Sequence, residues 1–190
     1  RPRPLAGEIL GNYLDISLIP RRGEMKEINH KRNLKFHYSP LRYPGGKTFL
    51  FSLFDQVIKE NDLKNVTYIE PFAGGAGAAL ALLFLEKVDK IVINDLDRAI
   101  YSFWRSAIFH SNKFVDQVIK TPVTIEEWKK QKAIYSNNQS REFELGFATF
   151  FLNRTNISGI LDGGPIGGIG QGGKWKIDAK LWIVGRNIPE

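Results

Sequence analysis

The chain has 190 residues and a formal net charge of +7, and 43% of its residues are hydrophobic. This length and composition predict one sizeable core, formed by a single domain with an insertion. Because cysteine is absent and the three histidines show no ligand spacing, disulfide bonds are excluded and no metal site is predicted. The positive charge favours a polyanionic partner, with nucleic acid first; charge that serves only solubility is the alternative.

The sequence contains no apolar run of membrane-spanning length, and no signal peptide is recognised at its start. These features predict a cytoplasmic protein without a membrane partner. Residues 1–38 lack hydrophobic periodicity and are rich in arginine and lysine, so we predict a basic, poorly ordered arm. Met25 is the only methionine, and one hypothesis is that translation starts there and residues 1–24 are foreign or upstream sequence.

The first predicted helix follows Leu41–Lys47, a segment of flexible, aromatic and basic residues. Such a mixture favours ligand contact over a simple turn at the start of a helix. The apolar residues of the helix recur at helical spacing, which predicts one buried face made of Phe49, Leu50, Leu53, Phe54, Val57 and Ile58.

The central feature of the sequence is a strand, a glycine turn and a helix in direct succession. Val66 to Ile69 form a β-branched and aromatic run that predicts a buried strand, and Ala76 to Leu85 predict a helix. The glycines between them permit a tight turn beside Glu70. This arrangement is typical of a nucleotide-type cofactor site at the carboxyl end of a parallel strand.

Two common nucleotide motifs fail at this site. The dinucleotide-binding motif, counted from Gly75, requires a third glycine where this sequence has Leu80. The phosphate-loop motif that would end in Gly46–Thr48 requires its first glycine where this sequence has Leu41. The carboxylate of Glu70 would repel a pyrophosphate but would suit an ammonium or sulfonium group. S-adenosylmethionine carries both groups, and we therefore expect it as the cofactor.

A second strand is predicted over Lys90–Asn94, and two aspartates follow it. An acid at the end of this strand is well placed to accept hydrogen bonds from a ribose diol, a role we assign to Asp95. Asp97 is predicted to cap the next helix, whose apolar positions are Ile100, Phe103, Trp104, Ala107 and Ile108.

Two more helices and a glycine-rich segment complete the predicted elements. Thr124–Glu127 has the form of a capping box, which predicts a helix running to Tyr135, with a turn at Asn137–Ser140. The next helix faces the core through Phe143, Phe147, Phe150 and Phe151. The glycine-rich segment after it indicates either a flexible surface that orders on a partner or a disordered linker. The segment ends in Lys174, Trp175 and Lys176, which offer two cations for phosphate and one ring for stacking.

Four segments in one order resemble the Dam-type (D12 class) adenine-N6 DNA methyltransferases: Arg42–Lys47, Glu70–Gly75, Asn94–Asp97 and Phe151–Gly159. The resemblance extends from Leu41 to Ala179. It implies an α/β fold with an incomplete Rossmann-like core that binds S-adenosylmethionine, and a helical target-recognition insertion that contacts double-stranded DNA. The implied parts are residues 39–112 for the cofactor, 113–179 for the insertion and 180–190 as a divergent tail.

The resemblance also implies site residues. The cofactor would be held by Tyr43, Gly45, Gly46, Lys47, Glu70, Pro71, Phe72, Gly74, Gly75 and Asp95. DNA would be contacted by Asn153, Arg154, Asn156, Ser158, Lys174 and Lys176.

The sequence departs from the family because no Asp-Pro-Pro-Tyr motif occurs in it. The implied reaction is methyl transfer from S-adenosylmethionine to adenine N6 in DNA, and we expect that this chain lacks the catalytic motif. It would then be a truncated or frame-shifted product with a parallel sheet edge exposed to self-association. The alternatives are an inactive remnant that binds the cofactor or DNA, and a methyltransferase acting on RNA or a small molecule. Ile157, Ser158 and Asp162 stand where relatives that read GATC tend to carry Tyr-Asn and a basic residue, so the target sequence stays open.

Overall fold

The computed structural model describes residues 38–180 and the backbone of the strand Leu14–Asp15. Its contacts divide the described residues into two compact units. The first unit contains residues 14–15, 38–40 and 45–96, and the second contains residues 41–44 and 97–180. The predicted disordered arm (residues 1–38) and the predicted divergent tail (residues 180–190) lie almost wholly outside the described residues. The assignment of functions to residues 39–112 and 113–179 stays a prediction.

The first unit contains a three-stranded sheet formed by β1 (Leu14–Asp15), β2 (Thr67–Glu70) and β3 (Lys90–Ile93). The strand order is β1-β3-β2; β2 and β3 are parallel, and β1 is antiparallel to β3. The parallel pair confirms both predicted strands to within a residue, whereas β1 was not predicted. Since β3 has a neighbour on each side, β1 and β2 are the edge strands among the described residues, and self-association through an exposed edge stays a prediction.

Helix α1 (Phe51–Glu60) begins after a 3-10 helix over Lys47–Leu50. The predicted apolar face of this segment is partly wrong. Phe51 is buried, while Phe49, Leu53 and Val57 are 78%, 53% and 45% exposed. The 3-10 turn holds fewer residues than an α-helical turn, so a face extrapolated from Phe49 at α-helical spacing does not coincide with the buried one.

Helix α2 (Gly77–Phe84) connects the parallel strands β2 and β3. It is apolar on every side, and its residues from Ala78 to Leu82 are buried, as expected of a crossover helix packed on a sheet. The succession of strand, helix and parallel strand agrees with the α/β class expected from the sequence. A complete Rossmann-like core stays a prediction.

The second unit is helical. Its helices are α3 (Arg98–Phe109), α4 (Ser111–Lys120), α5 (Ile125–Ser136) and α6 (Glu142–Thr155), followed by 3-10 helices at Ile157–Gly159 and Ile177–Lys180. Both predicted caps are confirmed: Asp97 accepts a hydrogen bond from Ala99 N, and Thr124 accepts one from Glu127 N. Helix α6 packs against α3 and α5, and residues 145–153 are all buried.

Helix α4 was not predicted from the sequence. Its Phe114 is buried, and its ring centroid lies 5.8 Å from that of Phe103, 5.8 Å from that of Phe147 and 5.6 Å from that of Phe150. The helical spacing of Phe114 and Val118 is the signal that could have revealed it. None of the helices within residues 38–180 is long and apolar enough to cross a membrane.

Candidate cofactor and DNA sites

The loops at the carboxyl ends of β2 and β3 are joined by hydrogen bonds within the first unit. Asn94 N donates to the carbonyl of Glu70 at 3.0 Å, and Ala73 N donates to the carbonyl of Asn94 at 2.8 Å. Gly74 N donates to the Asp95 carboxylate at 2.7 Å. Three residues predicted to bind the cofactor, Glu70, Gly74 and Asp95, therefore lie together at one edge of the sheet.

The glycine turn at this edge has an unusual backbone. Gly74 and Ala76 both have φ of +48°, in the left-handed region, and Gly75 between them is buried. Glycine adopts this conformation without a steric penalty, whereas an alanine there is strained. Such strain is concentrated at ligand-binding turns. Gly77, the first residue of α2, lies so close to Thr48 that an added Cβ would overlap the threonine hydroxyl.

Glu70 is the central charge of the site and is only 3% exposed. Its Oε1 accepts a hydrogen bond from Lys47 Nζ at 2.9 Å, and the same ammonium donates to the carbonyl of Phe72. Lys47 thus compensates the charge of Glu70, and the attraction of a ligand's cationic group to this acid stays a prediction. Its Oε2 is buried and has no hydrogen-bond partner among the described residues, so the pair retains room for one more donor.

The electrostatic effect of Glu70 extends to its neighbour on β2. Burial, with a smaller contribution from the charge of Glu70, raises the pKa of Tyr68 to about 12.

The other residues predicted to bind the cofactor have varied surroundings. Asp95 is half-buried, and its Oδ2 holds the glycine turn. Phe72 is 70% exposed, and Pro71 is exposed as well. Gly45 and Gly46 are exposed and precede the 3-10 helix.

Tyr43 belongs to the second unit and is 43% exposed. Its predicted contact with the cofactor stays a prediction.

In the second unit, the amides of Asn153 and Asn156 are buried and fully used. Asn153 Oδ1 accepts from Arg42 N at 2.8 Å, and its Nδ2 donates to the carbonyls of Arg42 and Gly159. Asn156 Oδ1 accepts from Trp128 Nε1 at 2.7 Å. These side chains have no exposed polar atom to offer DNA, so their predicted role as direct contacts needs correction.

The Asn156 amide also fixes the turn that follows α6. Its Nδ2 donates to the carbonyls of Ile160 and Leu161 at 2.7 and 3.1 Å. Lys132, one turn after Trp128 on α5, donates to the same Leu161 carbonyl at 2.9 Å.

Arg42 caps the carboxyl end of α6, a role that the sequence did not reveal. Its guanidinium donates to the carbonyls of Asn153, Arg154 and Asn156 at 2.7, 2.8 and 3.1 Å. A cation stabilises this end of a helix dipole, and its N–H groups satisfy carbonyls that lack a partner within the helix. Burial lowers the pKa of Arg42, and burial together with the charge of Arg42 lowers the pKa of Arg154. No local signal could have shown a pairing across more than a hundred residues.

The profile of the D12 class N6 adenine-specific DNA methyltransferases matches residues 43–161, more than half of the chain. The chain belongs to this family. A comparison with curated proteins finds no match.

The region that matches the D12 methyltransferases includes the Glu70 turn, Asp95 and the end of α6, and it stops before Lys174. Beyond α6, Ser158 is exposed with φ of +56°, and Lys174 and Lys176 are exposed. In this family member, residues 38–180 contain no cluster of three metal-ligating side chains.

The glycine-rich segment of this family member is folded, contrary to the expectation of a flexible loop. Ile166 N donates to the carbonyl of Thr155 at 2.9 Å, and Ile157 N donates to that of Gly164 at 3.1 Å. Ile166 is buried, so the segment contributes to the core of the second unit.

Proposed function

We propose that the chain binds S-adenosylmethionine in the first unit and double-stranded DNA through the second, as part of methyl transfer to adenine N6. The observation that carries the cofactor assignment is the buried carboxylate of Glu70, one oxygen of which has no hydrogen-bond partner among the described residues. A buried acceptor without a partner is costly unless a ligand provides the donor. Membership of the D12 class supports the DNA substrate.

The ion pair of Lys47 and Glu70 suits the amino-acid end of S-adenosylmethionine. Glu70 Oε2 accepts a hydrogen bond from the ligand's ammonium group. The Lys47 ammonium has three donors and uses two of them on Glu70 and Phe72, so one is left for the ligand's carboxylate. A neutral pair thus meets a zwitterion, and neither charge is left without compensation.

The remaining cofactor contacts in our proposal come from the turn and the end of β3. Gly74 and Gly75 allow close approach of the backbone, and Asp95 accepts hydrogen bonds from the ribose diol through the carboxylate that already holds the turn. Gly45, Gly46, Pro71 and Phe72 of the first unit are proposed as further contacts. The bound cofactor supplies the methyl group.

The DNA contacts in our proposal are the exposed residues Ser158, Lys174 and Lys176, together with Arg154. Lysines contact phosphates and set affinity rather than sequence preference. Asn153 and Asn156 position the turn that carries Ser158, because all their amide groups are used within the second unit.

We further propose that the 190-residue chain by itself does not transfer methyl groups. The lone pair of the adenine amino group is delocalised into the ring, so the reaction needs groups that accept the amino hydrogens and hold the flipped base. In the family these come from the Asp-Pro-Pro-Tyr motif, which is absent from the sequence.

Calorimetric titration with S-adenosylmethionine tests the cofactor site. We expect the wild-type chain to bind, and Glu70→Gln to raise the dissociation constant by about tenfold or more, because a charge-assisted hydrogen bond is lost. The matched control is Glu86→Gln, an exposed glutamate of the same unit, which should bind as the wild type does. Equal affinity of Glu70→Gln and the wild type would reject the site.

Turnover is tested with labelled S-adenosylmethionine and an adenine-containing duplex. We expect cofactor binding without transfer of label to DNA. Transfer at the rate of an intact enzyme would overturn the proposed inactivity and leave the cofactor site standing.

A further inference from the structure

The end of the glycine-rich segment is organised by one side chain, Gln171. Its Nε2 donates to the carbonyls of Ile166 and Gly168 at 2.9 and 2.6 Å, and its Oε1 accepts from Ile177 N at 2.9 Å. These three bonds tie residues on both sides of Gln171 to one amide. The intervening residues therefore form a closed turn, although glycines make up much of it.

This turn carries an exposed indole. Trp175 is 60% exposed, while the buried Trp104 and Trp128 are 5% and 8% exposed. Lys174 Nζ lies over the Trp175 ring, 5.9 Å from its centroid, and Lys176 donates to the carbonyl of Gln171. Lys174 and Lys176 flank the indole directly, and the nearest acidic residues along the chain are Asp162 and Asp178.

The backbone under the indole is held in close contact. Gly167 has φ of +84°, and a Cβ built on it would lie 2.5 Å from the carbonyl oxygen of Trp175. Only glycine lets the backbone at Gly167 approach the backbone at Trp175 so closely. The indole is consequently presented by a folded turn, which reduces the ordering entropy that binding would require.

We propose that Trp175 is a stacking platform for a nucleobase of a DNA strand, with Lys174 and Lys176 beside the flanking phosphates. This inference rests on the proposed DNA partner and names a contact surface for it. An aromatic ring between cations is how proteins hold single strands, because every base has a π-face and every linkage a negative charge. Bases within an intact duplex are already stacked, so the platform takes a base that is unpaired or at a strand end.

The test compares DNA affinities of Trp175→Ala, Trp175→Leu and Trp175→Phe, on a single strand and on the duplex of the same sequence. We expect the alanine and leucine variants to bind the single strand about tenfold more weakly, and the phenylalanine variant to stay within about threefold of the wild type. Leucine retains apolar bulk without a π-face. Wild-type affinity of Trp175→Leu would therefore overturn stacking, as would an equal loss for both DNA forms.

The dependence of affinity on salt separates the ring from the cations. The slope of log affinity against log salt should be unchanged in Trp175→Ala and should fall by about one unit in Lys174→Gln. A smaller slope in Trp175→Ala would mean that the substitution disturbs the lysines, and it would count against an independent platform.

Two glycines provide a test of the turn with a matched control. Gly167→Ala and Gly168→Ala each place a side chain at a positive φ, of +84° and +73°. The Cβ at Gly168, however, would meet nothing within 4 Å among the described residues. We expect only Gly167→Ala to weaken single-strand binding as Trp175→Ala does. Equal DNA affinities of the two glycine variants would overturn the positioning of Trp175 by the turn.

Cofactor titration of the same proteins distinguishes the possible failures. S-adenosylmethionine should bind all of these variants as it binds the wild type. A wild-type chain that binds the cofactor but no DNA would remove the DNA partner and the platform together. Equal DNA affinity with and without Trp175 would contradict the stacking role of Trp175 and leave the DNA partner standing.

Discussion

Glu70 in the first unit and Asn156 in the second are both buried polar residues, and the sequence suggested both as ligand contacts. They differ in the hydrogen-bonding capacity that the fold leaves unused. Glu70 keeps an oxygen without a partner among the described residues. The Asn156 amide uses its oxygen and its nitrogen on three partners. Burial alone therefore does not indicate binding, and our cofactor proposal depends on a buried acceptor that lacks a partner beside the glycine turn.

The two residues also serve different elements. Glu70 ends a strand, beside a turn whose backbone is strained and close to α2. Asn156 follows the last turn of a helix, where its hydrogen bonds hold the chain against α5. In the first unit an acceptor thus remains without a partner among the described residues, whereas in the second the polar groups at the end of α6 support a surface turn.

The largest effect that would break this comparison concerns stability. Asn156→Ala leaves the buried Trp128 indole N–H without its acceptor and removes two hydrogen bonds that hold the turn after α6. We expect the free energy of unfolding to fall by about 3 kcal/mol, measured by urea denaturation. The control Asn112→Ala, at an exposed position of α4, should change it by less than about 0.5 kcal/mol. An Asn156→Ala chain of wild-type stability that loses DNA binding would identify Asn156 as a direct contact after all.

A smaller effect is expected from filling the space between Gly77 and Thr48 in the first unit. Gly77→Ala would place a methyl group against the Thr48 hydroxyl, next to Lys47. Overpacking of this kind should lower the free energy of unfolding by about 1–2 kcal/mol, and the displaced Lys47 should weaken binding of S-adenosylmethionine.

The double variant Gly77→Ala/Thr48→Ala removes the overlapping hydroxyl and should recover most of the loss, with Thr48→Ala as the reference for the cycle. A double variant as weak as Gly77→Ala would show that the glycine acts through its backbone and not through space for Thr48.

The smallest effect is a pH dependence confined to the first unit. The pKa of Tyr68 is about 12 in the folded chain, above its ordinary value of 10.0, so the folded state favours the protonated phenol. Its contribution to stability is complete below pH 10 and is lost as the pH rises to about 12. Tyr68→Phe should flatten this alkaline decline in urea denaturation; the same decline in both proteins would assign it to another group.

Local patterns were sufficient to predict several elements. The β-branched and apolar residues around Tyr68 and Ile91 predicted both parallel strands, and Asp97 and Thr124 predicted the starts of two helices. These features depend on neighbours a few residues apart, which sequence periodicity captures. The buried face of α1 failed because its first turn is a 3-10 helix, and α4 was missed although Phe114 and Val118 stand at helical spacing.

The sequence by itself determined the order of strand, glycine turn and helix, the acid beside the turn, and the motifs that identify the family. These are properties of adjacent residues, whose backbone preferences and chemistry act locally. Only the tertiary structure decided which polar atoms remain available. Lys47 reaches Glu70 across 23 positions, and Arg42 reaches the end of α6 across more than a hundred. Such pairings depend on how the chain packs, because a buried hydrogen bond forms between groups that folding brings together.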